Sequence, residues 1–520
     1  MVLPMVLDGL PGAFSPHREP DSARPDDTIP NRTVDALPQQ SEVPFRGMLI
    51  DGQLVEATGG GTLESVNPAT EEVVGAVPEA TADDVDRAVR AAEKAGPAWR
   101  DRTWTQRAAV LRQYAQVLED NLEELAHLDA IDSGNPITSM RADVQSAVGE
   151  IRYFAGIAGE TKGRTIPSGP DALTFTEFVP YPVVARIVPF NHPVKFASAK
   201  SAAPLAAGCP VIVKPGEQTS LSALRLGELV KDLFPAGVFN VITGNGATAG
   251  AALAGHPRVP RVAFTGSVAT GQRVAALGAE QVKHLSLELG GKNPLIVFPD
   301  ADVATTAKAA VAAMNLARCM GQSCGSASRI FVHEDVSEEF LGALVEAVRK
   351  LKVGDPMDDD TDMGPLAFRA HYDKVMGLIA SGVEEGAKLL HGGVRPEGLD
   401  KGFYVEPTVF AQVDMSMRIA REEIFGPVMS VLTWRDYEDM LEQVNSLDVG
   451  LTGNIWTNDI SLALRTARRI HSGYISVNGT GKRPIGSPFG GFKQSGIGKE
   501  SALDELLSYG REQSVTVTLR

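Results

Sequence analysis

The chain has 520 residues, 43% of them hydrophobic and 22% charged, with 65 acidic side chains against 49 basic ones and a formal net charge of −16. That length exceeds a single compact core and implies two or three domains, while the acidic balance argues against nucleic acid or an anionic membrane as the main partner. Three cysteines cannot build a disulfide framework and no run of about 18 apolar residues is present to span a bilayer, so the expected location is a reducing one, the cytoplasm.

Met1–Leu10 is apolar but interrupted by Pro4 and Asp8, with no basic flank, and makes a poor signal peptide. Residues 11–42 are rich in Pro, Asp, Ser and Arg without apolar period; 1–42 is expected to be a disordered leader or an over-extended start. Met48–Val55 is strand-like. Helices are expected over Thr81–Ala95, capped by Thr81 and stopped at Gly96-Pro97, then over Thr105–Ala130 and Ser139–Ala158. Thr174–Val179 and Pro182–Pro189 suggest an extended pair.

From there a rhythm sets in. Strand candidates at Val183–Val188, Val211–Val213, Val238–Ile242, Val262–Phe264 and His284–Leu289 alternate with helical candidates at Lys195–Ala207, Ser220–Leu233, Ala247–Leu253 and Val268–Leu277. This alternation implies a parallel sheet with helices on both faces, whose ligands bind at the carboxyl ends of the strands. Those ends carry the unusual residues. Asn191 lies between prolines in Pro189-Phe-Asn-His-Pro193, and Lys214-Pro-Gly-Glu217 follows the second strand. Phe264-Thr-Gly-Ser267 opens a helix, whose free amides and dipole suit a phosphate. Leu285, Leu287 and Leu289 share one strand face, so Glu288 projects from the other. Gly244–Gly250 is one residue too long for the usual dinucleotide fingerprint, and each of these features alone is weak.

A second alternating unit follows. Its alanine-rich helix, expected over Ala301–Met320, ends at Gly321, and Cys324 comes next among small residues before the strand-like Arg329–His333. Free cysteines are mostly buried hydrophobes, as Cys209 and Cys319 look to be from their apolar and helical settings. Cys324, in a glycine-flanked turn, is presented as a nucleophile would be. Ser514–Leu519 closes the chain as an alternating strand with no partner nearby in sequence, and such strands often pair across a subunit boundary.

Pro189-Phe-Asn-His-Pro193, Lys-Pro-Gly-Glu217, Phe-Thr-Gly-Ser267, Leu-Glu288-Leu-Gly-Gly-Lys, Gly-Gln-Ser-Cys324, Glu423-Ile-Phe-Gly-Pro and Pro-Phe-Gly-Gly-Phe-Lys-Gln-Ser-Gly together resemble the NAD(P)-dependent aldehyde dehydrogenase superfamily over nearly all of residues 45–520. The resemblance implies an α/β fold of two parallel-sheet domains plus a small β oligomerisation element. The expected division is a Rossmann-like NAD-binding domain over 43–160 and 182–290, a catalytic domain over 291–495, and an oligomerisation element from 161–181 and 505–520. A homodimer or homotetramer follows, and no metal is implied. Cys324 resembles the nucleophile that attacks the aldehyde carbonyl, Asn191 an oxyanion donor with the Cys324 amide, and Glu288 the base that activates water to hydrolyse the thioester. Lys214 and Glu217 resemble the adenosine-ribose ligands, and the Glu217 carboxylate would repel a 2′-phosphate, favouring NAD over NADP, which some relatives also accept. Phe190, Gly246, Gly250, Phe264, Thr265, Gly266, Ser267, Leu289 and Gly290 complete the expected cofactor contacts, with Glu423 on the nicotinamide ribose and Phe425 against the nicotinamide.

Two departures bear on the aldehyde. A position often held by a large tunnel aromatic falls at Ala199 or its neighbours, with Lys195 on the same helix; Lys482 and Arg483 stand where many relatives carry apolar residues. A roomy pocket for an aldehyde with an anionic group is one reading; basic groups paired with acids at the surface are the other. Two further readings stay open: acyl transfer to coenzyme A, against which Glu288 argues, and a catalytically silent binding protein on the same scaffold.

Overall fold

The computed structural model describes residues 46–480 and 483–519; the expected leader over 1–42 and Lys482 lie outside them. An eight-stranded sheet runs in the order Gln53–Val55, Met48–Ile50, Phe239–Val241, Val211–Lys214, Val184–Ile187, Arg261–Gly266, His284–Leu289, Gly496–Ile497. Its five inner strands from Phe239–Val241 to His284–Leu289 are parallel. They read as almost continuous runs of Val, Ile, Leu and Ala because helices cover both faces, and Val184–Ile187 and Val211–Lys214 are buried at every residue.

The second sheet has seven strands, ordered Lys388–His391, Thr408–Ala411, Val428–Trp434, Arg329–His333, Pro294–Val297, Thr452–Trp456, Tyr474–Val477. Only Lys388–His391, at one edge, is antiparallel. Each large sheet has its own apolar core. The two parallel sheets with flanking helices match the expected α/β class. A third sheet of three strands, Gly510–Thr518, Ala172–Pro180 and Thr165–Ile166, is antiparallel throughout.

Several expected elements differ. Thr174–Val179 and Pro182–Pro189 do not pair with each other: Ala172–Pro180 pairs with the terminal strand of the same chain from Pro180↔Gly510 to Ala172↔Thr518, while Val184–Ile187 enters the large sheet. The first helix runs through Gly96-Pro97 to Arg100, because Asp101 N–H still bonds Pro97 O and the buried Trp99 indole donates to Leu205 O at 3.1 Å. Thr105–Ala130 is two helices, Trp104–Asp120 and Leu122–Ser133, broken at Asn121, whose side chain donates to Val117 O. The helix expected over Ala301–Met320 stops at Ala313 and resumes only for Leu316–Cys319, since Asn315, Met320 and Gly321 all take positive φ (55°, 52° and 75°). At Gly321 a side chain is barred outright: a Cβ would stand 2.4 Å from Gly426 O.

Candidate active site

The three left-handed residues turn the chain so that Cys324 emerges, part-exposed, in a short loop between that broken helix and the strand Arg329–His333. The loop is pinned by side chains. Asn293 donates its amide to Cys324 O at 2.7 Å and Ser326 O at 2.9 Å, and Ser326 Oγ donates to Met314 O at 3.0 Å. Asn191 reaches the same loop from the end of Val184–Ile187, donating Nδ2–H to Gln322 O at 2.8 Å, which leaves its second N–H available. Asn135 holds the Asn191 backbone by donating to its carbonyl at 2.9 Å.

Glu288 stands on His284–Leu289, two strands along the sheet from Val184–Ile187 and in register with Thr265 on the strand between, 4% exposed, with Oε1 unpartnered among the described residues. Burial, reinforced by the Glu500 charge, pushes its carboxyl up to about 8, partly offset by the neighbouring Cys324 thiol and the Lys200 charge. The Cys324 thiol is in turn driven well above its ordinary range by burial and by the Glu288 carboxylate. A thiol and a carboxyl thus face one cavity, each resisting ionisation while the other is charged.

Behind Glu288 lies a buried charge network to which the sequence assigned no role. Glu500 accepts from Arg186 Nη2 and from Lys200 Nζ, both at 2.5 Å. Burial opposes its ionisation, but the two cations hold it down to about 2. Lys200 is the nearer link to the site, since its charge is felt by both Glu288 and Cys324. The sequence shows Lys200 and Glu500 300 residues apart, with no spacing to connect them.

Cys324 lies between two cavities. One, of about 160 Å³, is lined by Cys324, Glu288 and Asn191 together with Phe190, Thr265, Gly266, Ser267, Gly290, Glu423 and Phe425, which gathers most of the expected cofactor residues. At Gly290 a Cβ would lie 2.1 Å from Glu423 Oε2 and displace that carboxylate; Gly291 N–H donates to Glu423 Oε1 at 3.0 Å. Leu289 packs against Gly271, and the Phe264 ring lies under Gly266. Ser267 caps the helix Val268–Ala279 by accepting from Thr270 N–H at 3.3 Å. The other expected residues form a separate corner: Glu217 Oε2 accepts from Gly246 N–H at 2.6 Å, and Gly250 lies against the Lys214 stem. Lys214 donates to Pro215 O at 2.9 Å, and its burial lowers it to about 8 despite Glu217. His371, Phe368 and Lys374 were missed. His371 bonds Phe425 O at 2.7 Å and packs on Phe190, and Lys374 donates to Glu423 O at 2.9 Å. No motif spacing marks them.

These groups fit a nicotinamide dinucleotide. A helix N-terminus beside a backbone kept bare by glycine suits phosphate, a carboxylate held by an amide suits a ribose hydroxyl, and Thr265 Oγ1 is a buried hydroxyl without a partner among the described residues.

The second cavity, of about 280 Å³, is lined by Ser323 and Gly325 on either side of Cys324, and by both expected substrate residues, Lys195 and Arg483. Ala199 does not line it: it is 2% exposed within the core, so the expected extra room there is absent, and Phe196 on the same helix lines the first cavity instead. Among the described residues no helix is long and apolar enough to cross a membrane.

Comparison with known proteins agrees with this geometry. The family model described as "Aldehyde dehydrogenase family" matches residues 54–515. The aldehyde dehydrogenase tropH of Talaromyces stipitatus is 44% identical over 466 residues, covering 88% of this chain and 90% of that one. A hydroxyisobutyraldehyde dehydrogenase of Mycolicibacterium austroafricanum is 42% identical over 475 residues, covering 91% and 94%. The NAD+ complex of an aldehyde dehydrogenase from Bacillus cereus superposes with a TM-score of 0.89 at 39% identity, covering 92% of this chain and 97% of that one. With the match spanning both large sheets and the loop that presents Cys324, the chain belongs to the aldehyde dehydrogenase family, enzymes that oxidise aldehydes.

Proposed function

We propose that the protein oxidises its aldehyde to the free carboxylic acid with NAD, through an acyl group held on Cys324 and released by water. The observation that carries this reading is that Cys324, Glu288 and Asn191 line one cavity together with the expected nicotinamide-side residues. Sγ adds to the aldehyde carbon while its proton passes towards Glu288, and the developing oxyanion is met by the free Asn191 N–H and the Cys324 backbone amide. When bound, the dinucleotide supplies the acceptor for the hydride leaving that carbon. The acyl group then remains on Sγ as a thioester. Glu288, once it has released the thiol proton to solvent and is again ionised, takes a proton from water as the water attacks the thioester, and Sγ leaves.

The eight-stranded sheet and its helices, residues 43–160 and 182–290, would hold the dinucleotide, with Lys214 and Glu217 on the adenosine ribose. A carboxylate at that corner disfavours the extra phosphate of NADP. Residues 291–495 would form the catalytic domain, and the small antiparallel sheet would join copies into a homodimer or homotetramer. Supporting this, Gly510–Thr518 is its edge strand, with Val517 42% and Leu519 49% exposed.

The test is product analysis. With an aldehyde and NAD but no coenzyme A, NADH and free acid are expected in equal amounts; NADH without acid until coenzyme A is added would overturn the hydrolytic route. Asn191→Ala is expected to lower kcat roughly 10²- to 10³-fold, as loss of one oxyanion donor does, with NAD affinity measured by fluorescence titration unchanged. An unchanged kcat would remove Asn191 from the mechanism.

A further inference from the structure

The cavity on the far side of Cys324 carries its charges unevenly. Lys195 and Arg318 both reach one buried carboxylate, Asp143, at 3.5 and 2.5 Å, and the other oxygen of Asp143 is bound by His192 at 2.5 Å. One carboxylate cannot balance two cations. Asp143 lies behind the cavity wall; the acid in the wall itself is Glu150, whose charge is felt by Arg318. Asp143 and Glu150 together therefore offset Lys195 and Arg318.

Arg483 is left over. Its guanidinium lies over the Phe489 ring at 4.2 Å and donates to Ser501 Oγ at 3.1 Å, and no carboxylate of the described residues comes within 4 Å of it. Stacking holds the plane of the fork and a single hydroxyl uses little of it. The remaining donors keep the geometry that matches a carboxylate bidentately. Around it the walls supply Ser146, Asn454, Tyr474 and Ser476, groups that a long apolar tail would strip of water without replacing the hydrogen bonds.

We propose that the aldehyde taken by this enzyme carries a carboxylate at its other end, and that Arg483 is the residue that binds it. The proposal rests on the reading of Cys324 as nucleophile, since it places the carboxylate in the cavity that Ser323 and Gly325 border. The uncharged Arg483→Gln and the charged but unforked Arg483→Lys separate charge from geometry.

The experiment measures kcat/KM for succinic semialdehyde and for butanal, of equal carbon length, in the full chain with NAD. Wild type is expected to favour the semialdehyde. Arg483→Gln should lower the ratio of the two roughly 10- to 100-fold, mainly through KM for the semialdehyde, as loss of a charge-assisted pair predicts; Arg483→Lys should fall between. A ratio unchanged by Arg483→Gln, or a wild-type preference for butanal, would overturn the proposal. Glu150→Gln should leave the ratio equal or higher; a collapse would overturn it too, by showing that the cavity reads a cationic tail. Failure of the underlying reading is distinct: neither aldehyde would yield NADH.

Discussion

Cys324→Ala is expected to abolish acid formation, lowering kcat by roughly 10⁴-fold or more, because no other group can hold the acyl intermediate. The structure makes the expectation specific to one thiol. Cys209 and Cys319 are fully buried and line neither cavity. Cys324 alone is part-exposed and borders both cavities through its own side chain or its neighbours. The variant should still bind NAD, since the expected dinucleotide contacts do not depend on Sγ. Steady-state NADH formation and acid release, read beside an NAD titration, check this. Acid accumulating at an undiminished rate in Cys324→Ala would refute the covalent route.

Glu288→Gln is the second large effect. Glutamine keeps the volume and cannot take a proton, so the thioester forms but waits for water: a burst approaching one NADH per subunit, then turnover slowed by about 10²- to 10⁴-fold, the usual worth of a general base. A steady-state rate equal to wild type would end the assignment. The same carboxyl governs the pH profile. With its titration near 8, only a minor fraction is ionised at pH 7, so wild-type turnover should rise roughly tenfold between pH 7 and 9 and then level off, while the glutamine variant stays flat.

Stability should move the other way. The folded-state value of Glu288 lies above its ordinary value of 4.5, so the native state holds the proton longer than the unfolded chain does; stability is lost as pH rises from about 4.5 to about 8. The neutral glutamine escapes that loss. Its thermal midpoint should therefore exceed that of wild type above pH 8, by differential scanning calorimetry. Activity lost while stability is gained is the signature of a charge kept buried for chemistry rather than for folding.

Arg186, Lys200 and Glu500 explain part of that strain. Glu500 lies close enough to Glu288 to raise it, yet is itself held ionised by its two cations. Glu500 thus raises Glu288 while Lys200 lowers it, and the balance sets part of the pH at which the proposed base would ionise. None of the three was legible as functional beforehand. Arg186 reads as a lone charge in a buried strand, Lys200 as one polar residue on an alanine-rich helix, and Glu500 as the end of a glycine-rich motif.

The amino-acid sequence by itself determined the alternation of strands and helices and the placement of Asn191, Glu288 and Cys324 at strand ends and turns. Those depend on apolar period, prolines and glycines, which act over a few residues. Only the tertiary structure decided that the terminal strand pairs with Ala172–Pro180, that the first helix passes through Pro97, and that Asp143 takes up Lys195 and Arg318 while Arg483 meets no carboxylate among the described residues. Each of these is a choice of partner across a long stretch of chain. It is made by the cost of leaving a charge, an edge or an indole unsatisfied once the core has closed around it, and local pattern carries no record of that cost.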